Sequence, residues 1–144
     1  MSVAASAEVT SPGHEVGRTL DAGYQIGVRR TLPVSEERLW ALLLSPEGQR
    51  LWLGGVADLE PGTRFVFPDG TQGEIRIYRS WSHLRLTWQP PAWEAPSFVQ
   101  VRVLPARRGA TTLSFHQDHL KGPAERAEMK ARWENVVGSL AALL

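Results

Sequence analysis

His116, Asp118 and His119 fall within the tetrapeptide His116-Gln117-Asp118-His119, and two histidines with an acid between them can supply three metal ligands. The spacing does not bring two histidines to one helix face with a catalytic acid. Alternation sends His116 to the face opposite Phe115, and Asp118-His119 reads as a turn. The other histidines are His14 and His83, and there is no cysteine. Structural zinc takes about four nitrogen or sulfur ligands, so no metal is expected. Ser114 lies two residues from His116 on the same strand face, but no Gly-x-Ser-x-Gly elbow accompanies it and no triad is expected. Glu74, Arg76, Tyr78, Arg85, Gln100, Arg102 and His116 are the residue types of acid–base catalysis. All fall opposite the apolar strand face, which predicts a solvated outer surface. No glycine-rich loop precedes a helix, so no phosphate cradle is expected. No catalytic residue and no cofactor are assigned.

Six tryptophans are the more informative set. Their chemistry is burial, stacking and one N–H donor each. Trp40 and Trp133 lie on apolar helix faces, and Trp88 shares a face with Leu84 and Leu86. Trp52, Trp81 and Trp93 fall in or beside loops.

The elements that must position these side chains come from a chain of 144 residues, with 16 Lys and Arg against 15 Asp and Glu, a formal net charge of +1. An apolar fraction of 42% with 22% charged residues is ordinary for a globular protein. Near-neutral charge argues against general nucleic-acid binding. No stretch approaches the roughly 18 apolar residues of a membrane span. The N-terminus has no basic region followed by an apolar run, so the expected location is the cytoplasm.

Residues 1–22 read as a flexible N-terminal tail, rich in Ser, Ala, Gly and Thr near the start. Tyr24–Leu32 predicts the first strand, ended by Pro33. Ser35 is an N-cap, with Glu36 and Glu37 suited to the positive helix end, and Leu39, Trp40, Leu43 and Leu44 recur at helical spacing. Ser45-Pro46 starts a second short helix, which runs to about Trp52 and stops at Gly54-Gly55. Strands are then predicted at Arg64–Phe67, Gln72–Arg79, His83–Trp88, Ser97–Leu104 and Ala110–His116. Asp69-Gly70 marks a hairpin, Gln89-Pro90-Pro91 a break, and residues 105–109 a turn. The chain ends in a helix near Pro123 to Leu143. Met129, Trp133, Val136, Val137, Leu140 and Leu144 form its apolar stripe, and Glu125, Arg126, Glu128, Lys130, Arg132 and Glu134 fall on its solvated side. The layout is α+β: an antiparallel meander with a long helix on one face.

The segment Leu32-Pro33-Val34-Ser35-Glu36-Glu37-Arg38-Leu39-Trp40, followed by Ser45-Pro46-Glu47 and Trp52, resembles the opening of START-like (SRPBCC) proteins. Within them it is similar to the branch related to the C-terminal domain of the activator of the heat-shock protein 90 ATPase. Glu60-Pro61-Gly62-Thr63-Arg64-Phe65, Asp69-Gly70, Gly73-Glu74-Ile75, Leu84-Arg85-Leu86-Thr87-Trp88, Gly109-Ala110-Thr111-Thr112-Leu113, Trp133 and Gly138-Ser139-Leu140 continue the match in order. The resemblance implies a helix-grip (START/Bet v-like) fold: a curved antiparallel sheet wrapped around the C-terminal helix, two short helices after the first strand, and an apolar cavity between them. Residues 23–144 then form a single START-like domain.

The expected function is binding of a small hydrophobic or aromatic ligand between the sheet and the C-terminal helix. Phe65, Phe67, Trp88, Phe115, Met129 and Trp133 would line the space, with Trp52 and Trp93 near its rim. In this fold the core and the cavity wall are the same face, so these residues serve packing as readily as binding. Two alternatives stay open. One is a co-chaperone-like interaction module that uses the Trp93 region to meet a chaperone. The other is a cyclase- or dehydratase-like enzyme using His116 or Glu74. Homodimerisation through a sheet edge or exposed tryptophans is a further expectation. A binding module is favoured over an enzyme.

Overall fold

The computed structural model describes the backbone of residues 18–19 and residues 23–144. The predicted tail, residues 1–22, lies outside the described residues apart from Arg18–Thr19. That pair is a short strand, β1, set antiparallel against the start of the long strand β2 (Gly23–Leu32).

Two short helices follow, α1 (Glu36–Leu44) and α2 (Pro46–Trp52). The Ser35 hydroxyl caps α1 by accepting from the Arg38 N–H at 3.1 Å. Ser45 closes α1 and opens α2 with one side chain. Its hydroxyl donates to the Leu42 carbonyl at 2.7 Å and accepts from the Gly48 N–H at 3.0 Å. Pro46 fills the first position of α2, where a missing N–H costs nothing.

Five strands then form the meander: β3 (Arg64–Val66), β4 (Gln72–Arg79), β5 (His83–Trp88), β6 (Ser97–Arg107) and β7 (Ala110–Leu120). Helix α3 (Pro123–Ala142) completes the chain. The sheet is antiparallel in the order β1-β2-β7-β6-β5-β4-β3, so the last strand inserts beside the first long one. Helix α3 packs on β2 and β7, and α1 on β6 and β7. The core lies between the helices and one sheet face, where Leu84, Leu86, Val99, Val101, Leu113 and Phe115 point inwards with almost no exposed surface. No helix among the described residues is long and apolar enough to cross a membrane.

The predicted elements are present, with three corrections. Strand β6 runs through Pro105 instead of turning there. The Val103 N–H donates sideways to the Ser82 carbonyl, and β5 starts only at His83. Two residues on, the Pro105 nitrogen faces the same side beyond the end of that neighbour, so no ladder bond is lost. Strand β7 continues through Asp118-His119 to Leu120, which pairs with Tyr24. A register shift in this pairing absorbs the irregularity, and His119 takes a φ of 61° there. The third correction is at β4, where a bulge between Ile75 and Ile77 shifts the alternation. Tyr78 consequently packs edge-on against Trp40 of α1 at 5.8 Å rather than on the outer face with Glu74 and Arg76.

Candidate functional site

The inner face of the sheet collects the aromatic set, and α3 faces it. Met129 and Trp133 lie on the buried stripe of α3, with Val136, Val137 and Leu140 continuing it. The Trp133 ring stacks on Phe115 of β7 at 4.7 Å and 9°. Trp52, the last residue of α2, is tilted against Phe115 at 6.3 Å, and its indole donates to the Leu43 carbonyl at 2.9 Å. Phe65 and Phe67 stack on each other at 4.9 Å on either side of the end of β3. Trp88, the last residue of β5, meets Trp93 edge-to-face at 5.7 Å.

The structure thus buries Trp52, Phe65, Phe67, Trp88, Phe115, Met129 and Trp133 and leaves Trp93 half-buried over Trp88. Trp52, Phe115 and Trp133 form one ring-to-ring cluster, Phe65 and Phe67 a second, and Trp88 and Trp93 a third.

The loop carrying Trp93 is tied down by polar bonds. The Gln89 side chain donates to the Trp93 carbonyl at 2.8 Å, and the Trp93 N–H to the Pro90 carbonyl at 3.0 Å. The hairpin turn at Asp69-Gly70 reaches the same loop. Gly70, with a φ of 93°, lies where a Cβ would meet Pro91 at 3.2 Å. The Asp69 carboxylate accepts from the Thr71 N–H at 2.9 Å, which holds its pKa below the ordinary value.

Arg132 joins the first and third of these clusters. Its guanidinium carbon lies 5.0 Å from the Trp88 ring centroid and 5.2 Å from that of Trp133, and it donates to the Trp52 carbonyl at 3.0 Å. This corrects the expectation that Arg132 sits on the solvated side of the helix. Arg126 is also tied down, donating to the Gln25 carbonyl at 2.8 Å. Burial lowers the pKa of Arg132, and the charges of Asp69 and Glu128 oppose that shift. Among the described residues no carboxylate forms an ion pair with it.

A buried polar chain runs from α3 into the sheet. The Trp133 indole donates to Gln117 at 2.9 Å, Gln117 donates to the Ser97 hydroxyl at 2.9 Å, and Ser97 donates to the Trp88 carbonyl at 2.7 Å. Gln117 and Ser97 were not among the expected site residues. The signal for Gln117 is its place in the period-two series Leu113, Phe115, Gln117. The signal for Arg132 is its position beside Trp133, at the edge of the apolar stripe.

The other candidates lie elsewhere. Glu74 faces the guanidinium groups of Arg64 and Arg76. Asp118 accepts from His119 at 2.7 Å and faces Arg85, which covers Phe98. His116 and Gln25 share a hydrogen bond of 2.9 Å. A separate cleft of about 440 Å³ opens between the end of α1, residues 57–61 and Tyr78. The Gln49 amide there is satisfied, donating to the Leu44 carbonyl and accepting from the Ala57 N–H.

His116 gives a pH prediction. Burial lowers its pKa from the ordinary 6.5, with Arg85 and Arg29 adding to the shift and Asp118 opposing it. The unfolded chain then takes up a proton that the folded chain resists, so stability is complete above the unfolded pKa and falls as pH drops towards the folded one. Urea midpoints should decrease from about pH 7.5 to about pH 5, and His116→Gln should flatten part of that slope. An unchanged slope in the variant would remove His116 as the cause. His83 carries a lowered pKa for the same first reason and contributes in the same direction.

A sheet holding a long C-terminal helix, with two short helices after its first long strand, defines the helix-grip class of α+β proteins. A model of the family described as Activator of Hsp90 ATPase homolog 1-like protein matches residues 33–144. The chain belongs to that family. No curated protein sequence matches it. Among solved structures it is similar to DynU16, a protein of the dynemicin biosynthetic locus, at 24% identity and a TM-score of 0.69, over 82% of this chain and 46% of DynU16. It is similar to MLL2253 from Mesorhizobium loti at 23% identity and a TM-score of 0.70, over 83% of this chain and 95% of the other. The corresponding values for PFC0360w, an Hsp90 activator from Plasmodium falciparum, are 20% and 0.59, over 70% of this chain and 76% of the other. The chain therefore spans less than half of DynU16 and most of the other two. At these identities the likeness establishes the fold.

Proposed function

We propose that the protein binds a small apolar or aromatic molecule between the sheet and α3, at the end where the β3–β4 hairpin, the Trp93 loop and α3 meet. In this reading Trp52, Phe115 and Trp133 form the floor. Phe65, Phe67, Trp88, Trp93 and Met129 form the walls. The observation that carries it is the meeting of the Trp52–Phe115–Trp133 and Trp88–Trp93 clusters at one cation, Arg132, beside the half-buried Trp93.

The test is native mass spectrometry of protein purified from cells, with a tryptophan-fluorescence titration against fused-ring aromatic probes. A small adduct released on denaturation, or saturable quenching by a probe, is the expected result. A bare apoprotein mass with no quenching by any probe would overturn the reading.

A second reading, docking to an Hsp90-type chaperone, is favoured by the family membership and by the likeness to PFC0360w. It predicts a change in the chaperone's ATPase rate when the protein is added, and an unchanged rate would dismiss it.

A further inference from the structure

Two buried side-chain polar atoms among the described residues have no hydrogen-bond partner: Trp88 Nε1 and Arg132 Nε. The other indoles of the site are satisfied, Trp52 by the Leu43 carbonyl and Trp133 by Gln117. Buried donors are nearly always paired, because an unpaired one keeps its full desolvation cost. Here both orphans belong to side chains in contact, the guanidinium lying 5.0 Å from the Trp88 ring centroid. Trp88 is 7% exposed, and no ion pair neutralises Arg132 among the described residues. Both groups are donors, so what is missing beside them is an acceptor. The unpaired positive charge favours an anionic one.

We propose that Trp88 Nε1 and Arg132 Nε receive a carboxylate oxygen of the bound molecule, which makes the ligand class aromatic carboxylic acids. The proposal rests on the ligand-binding reading above and specifies its chemistry. One N–H comes from the sheet and one from α3, and a carboxylate has two oxygens to offer. The rings of Trp88, Trp93 and Trp133 would hold the aromatic body beside it.

The test compares naphthoate with naphthamide, which share a ring system and differ in charge, by fluorescence titration. The wild-type protein is expected to prefer naphthoate by about tenfold or more, the gain of a charge-assisted hydrogen bond over a neutral one. In Arg132→Met, which keeps an apolar stem, the ratio of the two affinities should fall to about one. Trp88→Phe, which removes the indole donor, should reduce the ratio by a smaller factor. Circular dichroism and thermal unfolding would establish that each variant is folded. Binding of both probes with no preference in the wild type would overturn the carboxylate assignment and leave the aromatic site standing. A preference that survives in folded Arg132→Met would also overturn it. Binding of neither probe would overturn the ligand-binding reading, and the assignment with it.

Discussion

Trp133→Ala should destabilise the protein by ~3–5 kcal/mol, the range for truncating a buried tryptophan. Three losses combine at this one position. The ring stacked on Phe115 disappears, the Gln117 carbonyl oxygen loses its donor, and the Arg132 guanidinium loses one of its two aromatic faces. Trp133→Phe separates them, because it keeps a ring against Phe115 while still orphaning Gln117. It should cost about 1–3 kcal/mol, the penalty for a buried polar group left unpaired. Equilibrium urea unfolding checks both. An alanine variant within about 1 kcal/mol of wild type would mean that the stack contributes far less than a buried side chain of this size should.

Gly73→Ala should be comparably damaging for the opposite reason. Gly73 faces Phe65 across the β3–β4 pair, and a Cβ there would fall 1.9 Å from the Thr87 carbonyl oxygen and 2.5 Å from Phe65 Cζ. Neither neighbour can retreat cheaply. Thr87 is paired with Phe98 of β6, and its hydroxyl accepts from the Glu74 N–H at 2.8 Å. Phe65 is stacked on Phe67. Overpacking of this kind is expected to cost about 3 kcal/mol or more. Gly138→Ala is the control. It lies inside α3, where an added Cβ meets nothing within 4 Å, so the same change should stabilise the protein by about 1 kcal/mol through helix propensity. A Gly73→Ala variant as stable as wild type would show that β5 can move away from β4 at this point.

The elements were legible because each carries one clean periodicity. The α3 stripe and the alternation of Val99, Val101 and Val103 leave little choice, and Ser35 and Ser45 mark the helix starts as their capping chemistry requires. The misreadings occur where one local rule meets a neighbour that sequence does not display. Pro105 reads as a strand breaker unless it is known that β5 begins only at His83. Tyr78 reads as an outer residue unless the bulge after Ile75 is known. Phe65, Phe67, Trp88, Phe115 and Trp133 are buried, whereas Trp52, expected near a rim, is fully buried and Trp93 is half-buried. Arg132 and Gln117 were hidden because residue type outweighed position. An arginine among Glu and Lys reads as solvated, and a glutamine beside two histidines reads as part of a polar strand end. Their partners come from Trp52, Trp88 and Ser97, far away in sequence.

The two unpartnered donors are held from different sides. Trp88 is carried by the sheet, its carbonyl fixed by Ser97. Arg132 is carried by α3 and bonded to the end of α2, which a single serine hydroxyl joins to α1. The distance between them therefore works as a gauge of how far apart the sheet and the helices stand. A larger side chain at Val101 or Leu113, deep between the layers, would widen that distance while touching neither donor. In the proposed reading, selectivity for a carboxylate would thus be set in part by the volume of the interior.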